Sequence, residues 1–158
     1  MVAMPGTVRR RWAVQRRRSG FSLAEVLVVV SLLGILASFA IPAVSQSMDQ
    51  TRIDRAAYLL SSDLEHAFTL AARLQSPVRV VVDGANRSYT LRNSATNGVL
   101  VQRHLGPGSI YGLTSLASTI TVEMFPNGVA SGATTFVMQT AFNTRTIQMS
   151  RAGQVRVN

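Results

Sequence analysis

The sequence predicts an α+β protein: one long N-terminal helix followed by about seven short strands. Three observations carry this. A run of nineteen residues, Val26 to Val44, holds no charge. Beyond it, apolar residues recur at three- and four-residue spacing as far as Leu74. After Pro77 the spacing changes to two, and Gly, Asn and Pro punctuate the chain at short intervals.

The first half of the helix is of membrane length. At about 1.5 Å per residue its nineteen uncharged residues span roughly 28 Å, close to the roughly 30 Å thickness of a bilayer's hydrocarbon core. Six arginines precede it: Arg9, Arg10, Arg11, Arg16, Arg17 and Arg18. The 158-residue chain carries a net charge of +9, but residues 21–158 hold ten arginines against seven acids, or +3. The basic character therefore belongs mainly to the head. Basic residues flanking a span favour its cytoplasmic side, which puts the remainder across the membrane. Pro42, near the far end of the run, removes a helix hydrogen bond and should bend the helix there. The chain has no cysteine, which excludes disulfides, thiolate metal sites and thiol nucleophiles.

The junction between head and span reads Ser19-Gly20-Phe21-Ser22-Leu23-Ala24-Glu25. A carboxylate in lipid costs roughly 2.5–3.5 kcal/mol at a helix centre and less near an interface. Glu25 therefore asks for a positive partner. A secretory signal is one alternative, with Ser38-Phe39-Ala40 as its cleavage site, but its apolar region would open on an acid and continue past Ala40. A plain signal anchor explains the span but neither Gly20-Phe21 nor Glu25. Residues Gly20 to Glu25 with the Val-rich helix resemble the leader of type IV prepilins and type II secretion pseudopilins. That resemblance implies cutting between Gly20 and Phe21 by a prepilin peptidase, with N-methylation of Phe21. It also implies that Glu25, five residues beyond the cut, neutralises the N-terminal amine of a neighbouring subunit. Ala24 departs from the pattern, where a larger aliphatic residue is more usual, and the leader is long.

The second half of the helix should be amphipathic. Ile53, Ala56, Ala57, Leu60, Leu64, Ala67, Phe68, Ala71 and Leu74 form one stripe. Asp54, Ser62, Asp63, Glu65, Thr69 and Arg73 are assigned to the other face, and Ser76-Pro77 ends the helix. The expected strands are Val78–Val82, Arg87–Arg92, Val99–Arg103, Thr119–Met124, Thr134–Thr140, Thr144–Ser150 and Gln154–Val157. Asp83-Gly84, Asn97-Gly98, Gly106-Pro107-Gly108 and Phe125-Pro126-Asn127-Gly128 mark turns and loops. In the fourth strand Ile120, Val122 and Met124 are expected to face inward.

This order resembles the GspH/FimT family of minor pseudopilins and minor pilins. The resemblance rests on the helix ending near Ala71-Ala72-Arg73, the Val-rich first strand, the Phe125–Gly128 turn and the closing Ile147-Gln148-Met149-Ser150 with Gly153-Gln154-Val155. It implies a pilin-like fold with two sheets packed against the helix. The organisation expected is a cleaved leader over 1–20, a transmembrane or filament-core helix over 21–46 and a periplasmic domain over 47–158, helical to about 75.

No catalytic constellation is visible. His66 and His104 lack metal-ligand spacing, and Gly106-Pro107-Gly108 is followed by neither Lys-Ser/Thr nor a helix start. The expectation is a non-enzymatic subunit with no cofactor, metal or small-molecule substrate. Its partners would be other pseudopilins or pilins, the prepilin peptidase and the inner membrane. DNA is the alternative partner, because Arg145, Arg151 and Arg156 lie near the C-terminus. Some FimT-type minor pilins bind DNA through a C-terminal Gly-Arg-x-Arg stretch. Here Gly153 and Arg156 match it, but Gln154 replaces the first Arg, losing about one phosphate contact. Val155 and Val157 should face the core, leaving Gln154 and Arg156 outward. The resemblance implies a pseudopilus subunit near the filament tip, with DNA uptake as the alternative role.

Overall fold

The computed structural model describes residues 20–158, apart from the side chains of residues 40–42. Of the expected leader over 1–20, residues 1–19 lie outside the described residues, as does the side chain of Pro42. Helix α1 is assigned over Leu23–Leu74. Contacts divide the chain into two units, one ending at Phe39 and the other comprising Ala40–Asn158.

In the first unit the helix is apolar on every side. From Val26 to Phe39 its large apolar side chains are 49–74% exposed. A helix of this kind has no polar face to turn to water and no amphipathic stripe to turn to a core.

In the second unit the helix carries a stripe. Ile53, Ala56, Ala57, Leu60, Leu64, Ala67 and Ala71 are fully buried. Four of these seven residues are alanine. The helix ends as Gln75 takes a left-handed φ of 48°, and the Ser76 N–H donates to the Ala71 carbonyl at 3.3 Å. This bond from the second residue past the helix back to its last full turn satisfies one of the orphan carbonyls. Leu74, assigned to the stripe from sequence, is exposed because the helix leaves the core there.

Eight strands follow, one more than expected. They are β1 (Val78–Asp83), β2 (Ser88–Asn93), β3 (Val99–His104), β4 (Ser115–Ser118), β5 (Val122–Met124), β6 (Thr134–Gln139), β7 (Thr144–Met149) and β8 (Val155–Val157). They form two four-stranded antiparallel sheets, β3-β2-β1-β5 and β4-β6-β7-β8. The inner faces of both contribute to one core with the helix stripe: Val78, Val80, Tyr89, Leu91, Val122 and Met124 from the first, Leu116, Phe136, Met138, Ile147 and Met149 from the second.

The expected strand Thr119–Met124 is where the chain changes sheets. Thr119 still donates its N–H to the Thr135 carbonyl at 3.0 Å, but the ladder stops there, and pairing with β1 begins only at Val122. The Thr135 N–H donates to the Thr119 hydroxyl at 3.0 Å, where a ladder would have used a carbonyl. Ile120 is therefore 46% exposed rather than inward, while Val122 and Met124 are buried as expected. The unexpected β4 reads Ser-Leu-Ala-Ser. Its weak strand propensity hides it, and Leu116 alone anchors it in the core.

Gly153 shows how closely the last hairpin is drawn in. Its φ is +78°, and a Cβ there would lie 3.2 Å from both the Gly128 carbonyl and the Phe68 ring. Phe68 is half-buried beneath this turn.

Candidate functional site

Two sets of charged residues matter: the junction at the start of the helix, and the carboxylates along its second half.

At the junction, Ser22 caps the helix. Its hydroxyl accepts the Glu25 N–H at 3.2 Å, and its carbonyl accepts the Val26 N–H, also at 3.2 Å. Ser-x-x-Glu is the spacing of a capping box, and an acid in the first turn suits the positive end of the helix dipole. Glu25 thus has a local reason to be there, one that becomes visible once the helix start is located. Its side chain is exposed and makes no hydrogen bond or ion pair among the described residues. Gly20 and Phe21 lie just ahead of the helix, both exposed.

Beyond the span, acids that look solvated in the sequence hold the β domain. Asp63, assigned to the polar face from sequence, is buried. Its carboxylate accepts the Tyr89 hydroxyl at 2.7 Å and the Arg103 Nε–H at 3.0 Å. Burial, and then the bond to Asp63, push the Tyr89 hydroxyl far above its ordinary pKa, so it stays a donor. The bond to Asp63 likewise raises the pKa of Arg103. The sequence signal is that Asp63 follows Leu60 by three and precedes Ala67 by four, which puts it on the stripe's edge.

Asp49 plays the same part nearer the span. It lies four residues before Ile53 and is buried. One oxygen accepts from the Thr140 hydroxyl, the Phe142 N–H and the Asn143 amide. Burial alone would raise the carboxyl's pKa. The bonds from Thr140, Asn143 and the Phe142 amide, with the charge of Arg52, outweigh it and hold the value below 3.8.

The third anchor is Asp54, whose carboxylate meets Arg145 Nε at 2.6 Å. This separates the three C-terminal arginines. Arg145 alternates with Ile147 and Met149, whose side chains are buried, so it points inward at the rim. Arg156 opposes Gln148 across the β7–β8 ladder, and both are exposed on the outer face. There Arg156 joins Thr135, Gln148 and Gln154 around a shallow groove. Arg151 is exposed in the turn before β8. Arg145 and Arg156 thus face opposite sides of one sheet. Val155 and Val157 pack against the core as expected.

His66 and His104 are exposed, and no group of three His, Cys, Asp or Glu able to hold a metal occurs among the described residues.

Residues 15–41 match the prokaryotic N-terminal methylation motif. Over 39 residues the chain is 46% identical to the type II secretion system core protein G of Pseudomonas aeruginosa. That stretch is 25% of this chain and spans 28% of the relative's length. The fold is similar to that of the type IV minor pilin FimU of Pseudomonas aeruginosa, with a TM-score of 0.56 and 14% identity, covering 69% of this chain and 90% of that one. It is equally similar to the minor pseudopilin EpsH of the Vibrio cholerae type 2 secretion system, with a TM-score of 0.55 and 15% identity over 68% and 96% of the two chains. The motif match covers the start of the chain, and the long helix with its two-sheet domain is a pilin-like fold.

Proposed function

We propose that the chain is a minor pseudopilin, a structural and non-enzymatic subunit of a type II secretion pseudopilus. Prepilin peptidase cuts between Gly20 and Phe21 and Phe21 is N-methylated. The remaining chain sits in the bacterial inner membrane by its apolar helix, with the β domain in the periplasm, and then enters a filament of other pseudopilins near its tip. Pro42 bends the helix where it leaves the bilayer.

The observation that carries this reading is the methylation motif, residues 15–41, running into a helix whose apolar side chains are uncovered from Val26 to Phe39. Lipid covers such a surface before assembly, and neighbouring helices cover it afterwards. Within that environment Glu25 gains from a counter-charge, because opposite charges attract more strongly at low dielectric and either one alone is expensive. The new amine at Phe21 of a neighbour supplies it. The 39-residue similarity to a secretion core protein supports secretion over DNA uptake. So does the ion pair that turns Arg145 away from Arg156.

Two substitutions in the full chain test the reading. Gly20→Ala should leave the unprocessed form in membranes. Glu25→Ala should be processed normally yet be depleted from sheared filaments. Wild-type incorporation of the Glu25 variant would contradict its pairing role.

A further inference from the structure

We infer that the β6–β7 hairpin tip is a second membrane contact, with Phe142 seated at the headgroup level of the bilayer that holds the helix. The inference rests on the anchoring proposed above.

The placement follows from level along the helix. Phe142 and Asn143 share a surface hollow with Ala43, Gln46, Ser47 and Gln50. The apolar run ends at Val44, where Ser45, Gln46 and Ser47 follow. At about 1.5 Å per residue, Gln46 to Gln50 stand roughly 3–9 Å beyond that end. The interfacial layer of a bilayer is roughly 5–7 Å deep on each side of its hydrocarbon core. Phe142 therefore lies beside the stretch of helix that crosses this layer.

The loop is also held there. The buried Asp49 carboxylate accepts the Phe142 backbone N–H at 3.2 Å, together with bonds from Thr140 and Asn143. The Thr140 N–H closes the turn on the Asn143 carbonyl at 2.9 Å. The backbone of this tip is fixed while its one large apolar side chain stays 62% exposed. An aromatic ring at the membrane–water boundary is favourable, and one held out in water is not. A fixed, outward ring beside the end of a membrane span fits a lipid surface. Asp49 then acts as a positioning residue, setting the height at which the domain stands on the bilayer.

The test uses the full chain in lipid vesicles, with Trp12→Phe removing the one native tryptophan. A single indole is then introduced by Phe142→Trp or, for reference, by Leu74→Trp, about 45 Å farther along the helix than Val44. Vesicles contain lipid brominated either near the glycerol end of the acyl chain or near its methyl end. The expected result for the Phe142→Trp chain is a blue-shifted emission that is quenched most by the shallow bromines. Emission from the Leu74→Trp chain should be unaffected. Adding Asp49→Asn to Phe142→Trp should reduce the quenching, since the loop loses its tie. If the chain resists alkaline extraction but the indole at position 142 is quenched no more than the one at position 74, the anchor stands and the hairpin contact is wrong. If alkali strips the chain from the vesicles, the anchoring fails and the contact fails with it.

Discussion

The two halves of α1 are both helical, but they differ in where their apolar surface goes. From Ile53 to Ala71 the apolar side chains recur on one side, and the β domain buries them. From Val26 to Phe39 they occur on every side and remain uncovered. Helix propensity does not separate the halves, since the Val-rich first half is the weaker helix former in water. What separates them is the source of the partner. The second half finds it in its own chain, at sequence distances of up to about ninety residues, as in Asp54–Arg145. On the function proposed above, the first half finds it in lipid or in another molecule. One covalent helix thus joins a folded domain to a segment whose environment is supplied from outside.

The sharpest way to break this comparison is to make the same substitution in both halves of the full chain in detergent. Leu64→Ala removes a fully buried side chain and should cost about 2–5 kcal/mol of β-domain stability. Leu32→Ala should leave the thermal midpoint of that domain unchanged. A similar loss from both would mean that the first half is packed against the domain after all.

A smaller effect tests the polar ties. Asp63→Asn leaves Arg103 without its counter-ion and weakens the acceptor for the buried Tyr89 hydroxyl. About 2 kcal/mol should be lost in denaturant unfolding, less than for a fully buried pair because Arg103 reaches solvent. An unchanged midpoint would reduce Asp63 to a surface acid.

The smallest effect is in the pH dependence of Asp49. Its carboxyl pKa is lower in the folded chain than the ordinary 3.8. A lowered folded value means that the native state holds its proton less tightly than the unfolded state. The stabilisation is therefore complete well above pH 3.8 and disappears as pH falls through the lower folded value. Asp83 is also lowered, so the difference between wild type and Asp49→Asn isolates the effect. That difference should be largest near neutrality and shrink in acid. A constant difference would assign it to packing alone.

Much of this is legible in the sequence, and the gaps have physical causes. The uncharged run, the stripe of the second half and seven of the eight strands follow from periodicity, with Gln154 and Arg156 outward as alternation requires. The strand β4 escapes because Ser, Ala and Ser carry little strand signal, and Ile120 misleads because alternation cannot report a change of sheet. Asp63 and Asp49 are harder. A charged side chain reads as solvated until its partners are known, and Tyr89, Arg103 and Thr140 lie far off in sequence. Arg145, Arg151 and Arg156 are neighbours in sequence, but nearness in sequence does not decide which face of a sheet a side chain takes: Arg145 turns inward and Arg156 outward. At the junction, Gly20, Phe21 and Glu25 stand out from sequence, but the capping role of Ser22 needs the helix start to be located.

The most direct measurement is the intact mass and N-terminal fragment spectrum of the chain recovered from membranes. A polypeptide beginning at N-methylated Phe21 is expected, with the apolar helix retained. A chain that keeps Arg16 to Arg18, or one that begins at Ile41 with the span removed, would contradict the claim that this helix enters a filament.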